Sequence, residues 1–199
     1  MIKKNKPKKR KKEAIYEAAA RLFREKGYKA ASMRDLAERV DLKVSSLYSH
    51  IGSKEELLQK ICFDNAHLFI NGMDVIERME GSTIDKIKAI IALHVDIAIT
   101  NPTSVTVFND EWKHLTNDNY ESNLNQFLKL RKDYESRFQQ IIIHGIKNKE
   151  LKDIDSNVAL YTILTSVRWL HYWYKPSRKV SPDLLKTQIA TLLLEGLAC

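Results

Sequence analysis

Ser32-Met33-Arg34-Asp35-Leu36-Ala37-Glu38-Arg39-Val40-Asp41-Leu42-Lys43-Val44-Ser45-Ser46-Leu47-Tyr48-Ser49-His50 reads as two short helices joined by a tight turn. Ser32 is a helix cap, and Asp35 three residues on completes a variant of the capping box. Met33, Leu36, Ala37 and Val40 then fall on one inward face. Asp41 suits the turn, because aspartate tolerates left-handed backbone geometry. The second helix carries Val44, Leu47 and Tyr48. Small Ala37 lets the two helices cross closely, and Leu42 and Leu47 fill the space between them. Val44, Ser45 and Ser49 are short enough for the helix to enter a major groove, while hydroxyls, Tyr48, His50 and Lys54 can reach phosphates. The segment is a helix-turn-helix.

Helical spacing continues on both sides. Ile15, Ala18, Ala19, Leu22 and Phe23 predict a helix from Arg10, ended by Gly27. Ser53 and Glu56 form a second capping box, opening a helix that runs to about Met79. Gly81-Ser82 breaks the chain, a helix follows over 83–100, and Asn101-Pro102 stops it. Pro102 suits a first helical position of a helix through Phe108 and Trp112. A long helix is expected over 120–147 and an aromatic-rich one from Asp155 or Ser156 to Tyr174. After a turn at 176–180, Ser181-Pro182-Asp183 starts the last helix. No strand-like alternation competes. With only 6 Gly and 4 Pro among 199 residues, the fold class is all-α, in about nine helices.

Charge divides the chain. Residues 1–60 hold 17 basic and 8 acidic groups, whereas the remainder holds 16 and 17, so the whole +8 comes from the first third. A basic end on a neutral body points to one polyanion-binding module and a second module with another task. Residues 1–9 read as a disordered basic arm, 10–55 as the DNA-binding domain and 56–199 as a ligand-binding and dimerisation domain. Eight basic residues and no acidic one lie within positions 3–12, which favours an electrostatic contribution to DNA affinity. Two cysteines are too few for a disulfide framework, and no apolar run approaches the ~20 residues of a membrane span. A cytoplasmic protein without a membrane partner is expected.

The order Ser32, Leu36-Ala37, Leu47-Tyr48-Ser49-His50-Ile51 and Lys54-Glu55-Glu56-Leu57 resembles the signature of the TetR family of bacterial regulators. The match spans about 50 residues. Asp41 stands where the family's turn usually carries Gly, and Ile51 where it carries Phe. The resemblance implies a homodimer on double-stranded operator DNA, released by a small hydrophobic ligand. It places Ser32, Ser46, Tyr48, His50 and Lys54 on the DNA backbone and Met33, Val44 and Ser45 nearest the bases. Lys43 and Ser49 complete the DNA-binding set.

In the second module, Glu111-Trp112, Arg131-Lys132-x-Tyr134 with Phe138, and Arg168-Trp169 with Trp173-Tyr174-Lys175-Pro176 look like one branch of that family. The branch controls fatty-acid and sterol catabolism and responds to acyl-CoA thioesters. It implies an acyl-CoA effector and no other cofactor. Candidate ligand-binding residues are His94, Phe108, Trp112, Tyr134, Phe138, Tyr161, Arg168, Trp169 and Tyr172. Arg168 is the candidate cation for CoA phosphates, with Lys175 and Arg178 nearby; its alternative is an ion pair with Glu111 or Asp133. Leu160, Leu164, Val167 and His171, with Leu185, Ile189, Leu192 and Leu193, form stripes suited to a four-helix dimer contact.

Enzymatic chemistry has little support. G-x-G-x-x-G, Walker A and H-E-x-x-H motifs are absent. Asp64-x-x-His67 and Glu111-x-x-His114 are the only metal-like spacings, so a di-metal bundle enzyme is a remote alternative. A repressor of an efflux system that senses hydrophobic drugs is a nearer one. A non-specific architectural DNA binder would leave the neutral module without a purpose.

Overall fold

The computed structural model describes residues 6–115, 121–175 and 179–196, and the side chains of these except residues 6–9, 121 and 122. The fold is all-α. Its helices are α1 (Lys6–Lys26), α2 (Met33–Arg39), α3 (Val44–Tyr48), α4 (Lys54–Arg78), α5 (Thr83–Thr100), α6 (Pro102–Glu111), α7 (Glu121–Lys147), α8 (Ser156–Arg168), α9 (Leu170–Trp173) and α10 (Pro182–Leu194), with a 3₁₀ turn at Trp112–Leu115.

The chain forms two compact units. The first takes the residues up to Asn65 together with Thr103–Phe127. The second takes Ala66–Pro102 and the chain from Leu128 onward. The division falls inside α4 and α7 rather than at residue 55.

In the first unit, α1 packs on α2 and α2 on α3. Leu22, Phe23, Leu36, Leu47, Leu57 and Leu58 are fully buried there. Phe127 gathers an aromatic cluster, with ring centroids 6.1 Å from Phe63, 5.7 Å from Phe108 and 6.0 Å from Trp112.

In the second unit α5 is central and carries α8, α9 and α10 on its flanks. Its Ile87, Ile90, Ile91 and Val95 are enclosed, along with Phe138, Ile142, Ile163 and Leu164. Each such burial contributes roughly 1.5–3 kcal/mol. Ser82 caps α5 through a full capping box with Asp85. Arg137 on α7 ties that helix to α4 by ion pairs with Asp74 and Glu77, at 2.6 and 2.5 Å.

Three sequence expectations change. The helix expected from Arg10 begins at Lys6, because Pro7 is tolerated in a first turn; residues 1–5 lie outside the described residues. At Ser53 half the capping box forms: Ser53 Oγ accepts the Glu56 amide, but the Glu56 carboxylate accepts from the Gly52 amide at 2.7 Å instead. The single helix expected to reach Tyr174 is broken at Trp169. Before the break, Thr165 and Ser166 hydroxyls donate to carbonyls one turn back, which bends helices. His171 Nδ1 takes the Arg168 carbonyl at 2.7 Å, satisfying a group the ended helix leaves open. Residues 176–178 of the expected turn, Arg178 included, lie outside the described residues.

Candidate nucleic-acid interface and effector site

The helix-turn-helix is held by local hydrogen bonds. Ser32 Oγ accepts the Asp35 amide at 3.1 Å, and Asp35 Oδ2 accepts the Ser32 amide at 2.9 Å. Lys26 and the Ser32 hydroxyl and amide bond this carboxylate and hold it far below the usual range. Asp41 supplies the left-handed turn with φ 51°. The Leu42 amide then closes the turn on the Ala37 carbonyl at 2.9 Å. Leu36 and Ala37 from α2 and Leu47 from α3 are buried, which fixes α3 by one face only.

The other face of α3 is open. Val44 is 37% and Tyr48 50% exposed, and Lys43, Ser45, Ser46 and Ser49 are exposed around them. Met33 and His50 are half-buried. His50 Nδ1 is enclosed with no hydrogen-bond partner among the described residues. An enclosed lone pair costs less than an enclosed unbonded N–H, so the ring hydrogen belongs on Nε2, where it can be donated.

Two residues of the expected DNA set are occupied within the protein. The Ser32 hydroxyl is committed to its cap, accepting from Asp35 and donating back to it. The Lys54 ammonium donates to the Tyr28 and Ala31 carbonyls at 3.0 and 2.9 Å and lies 4.4 Å over the Tyr28 ring. Tyr28 is a residue that the sequence reading missed. Its hydroxyl donates to Glu55 at 3.2 Å, and its ring stacks on His114 at 5.6 Å. An aromatic directly after the helix-ending Gly27 was the available signal. Glu111 lies 3.4 Å from His114. Among the described residues no three His, Cys, Asp or Glu side chains gather as metal ligands.

The expected ligand set separates. Phe108 and Trp112 are half-buried in the first unit. In the second unit, His94, Tyr134 and Phe138 are buried. His94 Nε2 lies 2.9 Å from Tyr134 Oη, and Phe69 covers both rings, at 4.6 and 5.8 Å between centroids. Arg168 pairs with Glu135 at 3.0 Å, not with Glu111 or Asp133. Glu135 lies one residue past Tyr134, and Arg131 reaches the same carboxylate at 3.4 Å. Tyr161, Trp169 and Tyr172 are 47, 59 and 52% exposed, so they lie on the outside of α8 and α9 rather than in the interior of the unit.

The expected dimer set separates as well. Leu160, Leu164, Val167 and Leu185 are buried in their own unit, because α8 and α10 turn those stripes onto α5. His171, Ile189 and Leu193 are half-buried, and Leu192 is 77% exposed. The outward stripes are different ones: Val158, Tyr161, Trp169 and Tyr172 on α8 and α9, and Leu184 with Leu192 on α10.

A helix-turn-helix with an open reading face, joined to a separate helical unit, defines a DNA-binding regulator with a second module. A family model described as bacterial regulatory proteins of the tetR family matches residues 15–61. Another, described as the tetracyclin repressor-like C-terminal domain, matches residues 80–197. The chain belongs to the TetR family of bacterial regulators. It is 27% identical over 194 residues to the HTH-type transcriptional repressor KstR2 of Rhodococcus jostii, covering 92% of this chain and 89% of the relative. The fold matches the structure of the ketosteroid regulator KstR2 of Mycobacterium tuberculosis with a TM-score of 0.87, at 18% identity over 94% of this chain and 95% of that one. It also matches AibR, solved in complex with isovaleryl coenzyme A and operator DNA, with a TM-score of 0.80 at 21% identity, over 92% and 97% of the two chains.

Proposed function

We propose that this protein is a homodimeric repressor that holds operator DNA through α3 and is released by a hydrophobic effector, an acyl-CoA thioester. The observation that carries the DNA half is the split of α3: Leu47 is fully enclosed while Val44, Ser45, Ser46 and Tyr48 face solvent. That arrangement fixes the helix yet leaves short side chains to enter a groove and hydroxyls to meet phosphates. Val44 can touch a thymine methyl, and His50 Nε2 can donate to the backbone. Lys54 acts mainly by bracing the start of α4. The basic residues within positions 3–12, most of them in the first turns of α1, add affinity that falls with salt.

The effector half is supported by the relatives: regulators of this fold bear names tied to ketosteroids, and one was solved with an acyl-CoA. The enclosed aromatic and polar cluster around His94 and Tyr134 supplies an apolar setting with few polar groups, as ligand sites do. Dimerisation is required because two reading helices must meet two half-sites. Release needs only a few kcal/mol of differential effector affinity between the two states.

The test is release itself. Operator sequences are selected from a random duplex pool, and the complex is then challenged with thioesters of graded chain length while anisotropy is followed. Loss of binding at micromolar thioester, with one thioester per subunit by native mass spectrometry, is the expected result. A tight complex that ignores every thioester but yields to hydrophobic drugs would move the effector to an efflux-type regulator.

A further inference from the structure

His94 on α5 and Tyr134 on α7 place a polar pair inside an apolar interior. Each residue is 6% exposed, and His94 Nε2 lies 2.9 Å from Tyr134 Oη. Phe69 packs on the imidazole at 4.6 Å and sets its ring edge-on to the phenol at 5.8 Å. Burial holds both groups neutral: it pushes the imidazole down to about 3 and the phenol far above its ordinary value.

Counting hydrogens exposes a surplus. A neutral imidazole carries one N–H and a phenol one O–H. The contact between them uses one of the two. If the phenol donates to Nε2, the imidazole hydrogen sits on Nδ1, which has no hydrogen-bond partner among the described residues. If Nε2–H donates to the phenol oxygen, the phenolic hydrogen is the one left over. Either tautomer therefore leaves one donor of this largely buried pair without an acceptor among the described residues, and such a group gains from an acceptor brought to it.

We propose that this surplus donor is the anchor for a carbonyl oxygen, so that the second unit recognises an apolar molecule through one neutral carbonyl: a ketone, a thioester or an amide. The inference rests on the reading that this unit takes a hydrophobic effector, and it names the polar group that effector must present. A carbonyl brings an acceptor and no hydrogen, which matches a site with one donor to spare. A hydroxyl would bring a second hydrogen and restore the surplus. A carboxylate would bring a buried charge to a neutral pair, and the nearby Arg168 guanidinium is already paired with Glu135.

The test compares 2-decalone with decalin, a ketone and its parent hydrocarbon, by equilibrium dialysis of the full chain read by gas chromatography. A purely apolar site prefers decalin, since the ketone must shed its hydration. The wild-type chain is expected to bind decalone about ten-fold more tightly than decalin. In the double variant His94→Phe/Tyr134→Phe that preference disappears, while decalin affinity persists and reports an intact interior. Both partners must change, because either one alone still carries a donor. Decalin bound more tightly by the wild type, a decalone preference that survives the double variant, or binding of neither probe would overturn the anchor. Hexanoyl-CoA and its thioether S-hexyl-CoA run alongside. A chain that binds neither CoA yet discriminates the ketone keeps the anchor and loses the acyl-CoA reading. A chain that binds both equally and shows no ketone preference keeps that reading and loses the anchor.

Discussion

Tyr48 and Lys54 look equivalent in a motif and behave differently in the fold. Tyr48 is half exposed on α3 and outside the enclosed core. Tyr48→Ala should weaken operator binding about ten-fold and leave the melting temperature within about 1 °C, checked by anisotropy beside thermal denaturation. Lys54→Met should do the reverse in emphasis. It removes donors from the Tyr28 and Ala31 carbonyls and a cation from the Tyr28 ring, so a loss of about 1–3 kcal/mol in stability is expected. His94 gives a residue-scale pH signature. Its folded-state value of about 3 lies below the ordinary 6.5, and the principal cause is burial, with the Arg168 charge adding to it. Below 6.5 the unfolded chain binds a proton that the folded chain refuses, so this contribution is complete above 6.5 and is lost as pH falls towards 3. The slope is up to one proton, about 2 kcal/mol between pH 7 and 5. His114 is depressed in the same sense by its own burial. Denaturant titrations of the His94→Phe/Tyr134→Phe variant across that range should be flatter by that amount. Equal slopes in both proteins would place the imidazole in contact with water.

Elements were legible where the signal is local. Ser32 with Asp35 and Ser82 with Asp85 cap their helices as their spacing implies, because a capping box is closed within four residues. Asp41 likewise declared its left-handed turn. The break at Trp169 was hidden, since side chains that bend a helix from within leave its hydrophobic period intact. Glycine in α7 shows the same gap between local propensity and packing. Gly145 sits in the helix, where alanine ordinarily gains about 1 kcal/mol. Here a Cβ would stand 2.5 Å from Thr83 Cγ2 and 3.0 Å from the Leu151 side chain. Thr83 cannot yield, because its hydroxyl and amide are both bound to Glu150, at 3.1 and 2.6 Å. Gly145→Ala should therefore lower stability by about 1–3 kcal/mol despite the better helix former, as read from a urea midpoint that falls at constant slope. A midpoint that rises would show that α5 and α7 can move apart there.

At the scale of the whole molecule, the sequence supplied apolar stripes but not their direction. Leu160, Leu164, Val167 and Leu185 looked like an intersubunit seam, yet α8 and α10 turn them onto α5. Two stripes per helix cannot be ranked from one chain: on α8 the aliphatic one fills the core and the outward one mixes Thr with aromatics, whereas on α10 both carry Leu. The partner of Arg168 was illegible for a related reason, since the register of α8 against α7, which selects Glu135 over Asp133, is a long-range fact. What remains outward is unusual for a surface. Trp169 is 59% exposed with its ring 4.9 Å from Tyr172, and Leu192 on α10 is 77% exposed. Large apolar side chains left exposed mark an interaction site, and a second copy of the chain covering them would remove this area from water. Trp169→Glu combined with Leu192→Glu should hence shift sedimentation from dimer to monomer at micromolar concentration while far-ultraviolet circular dichroism stays unchanged. Operator affinity should fall with it by at least about 100-fold, because a single reading helix then meets a single half-site. If the variant stays dimeric and still holds the operator, the subunits must join elsewhere, and the exposed aromatics of α8 and α9 would have to serve another contact.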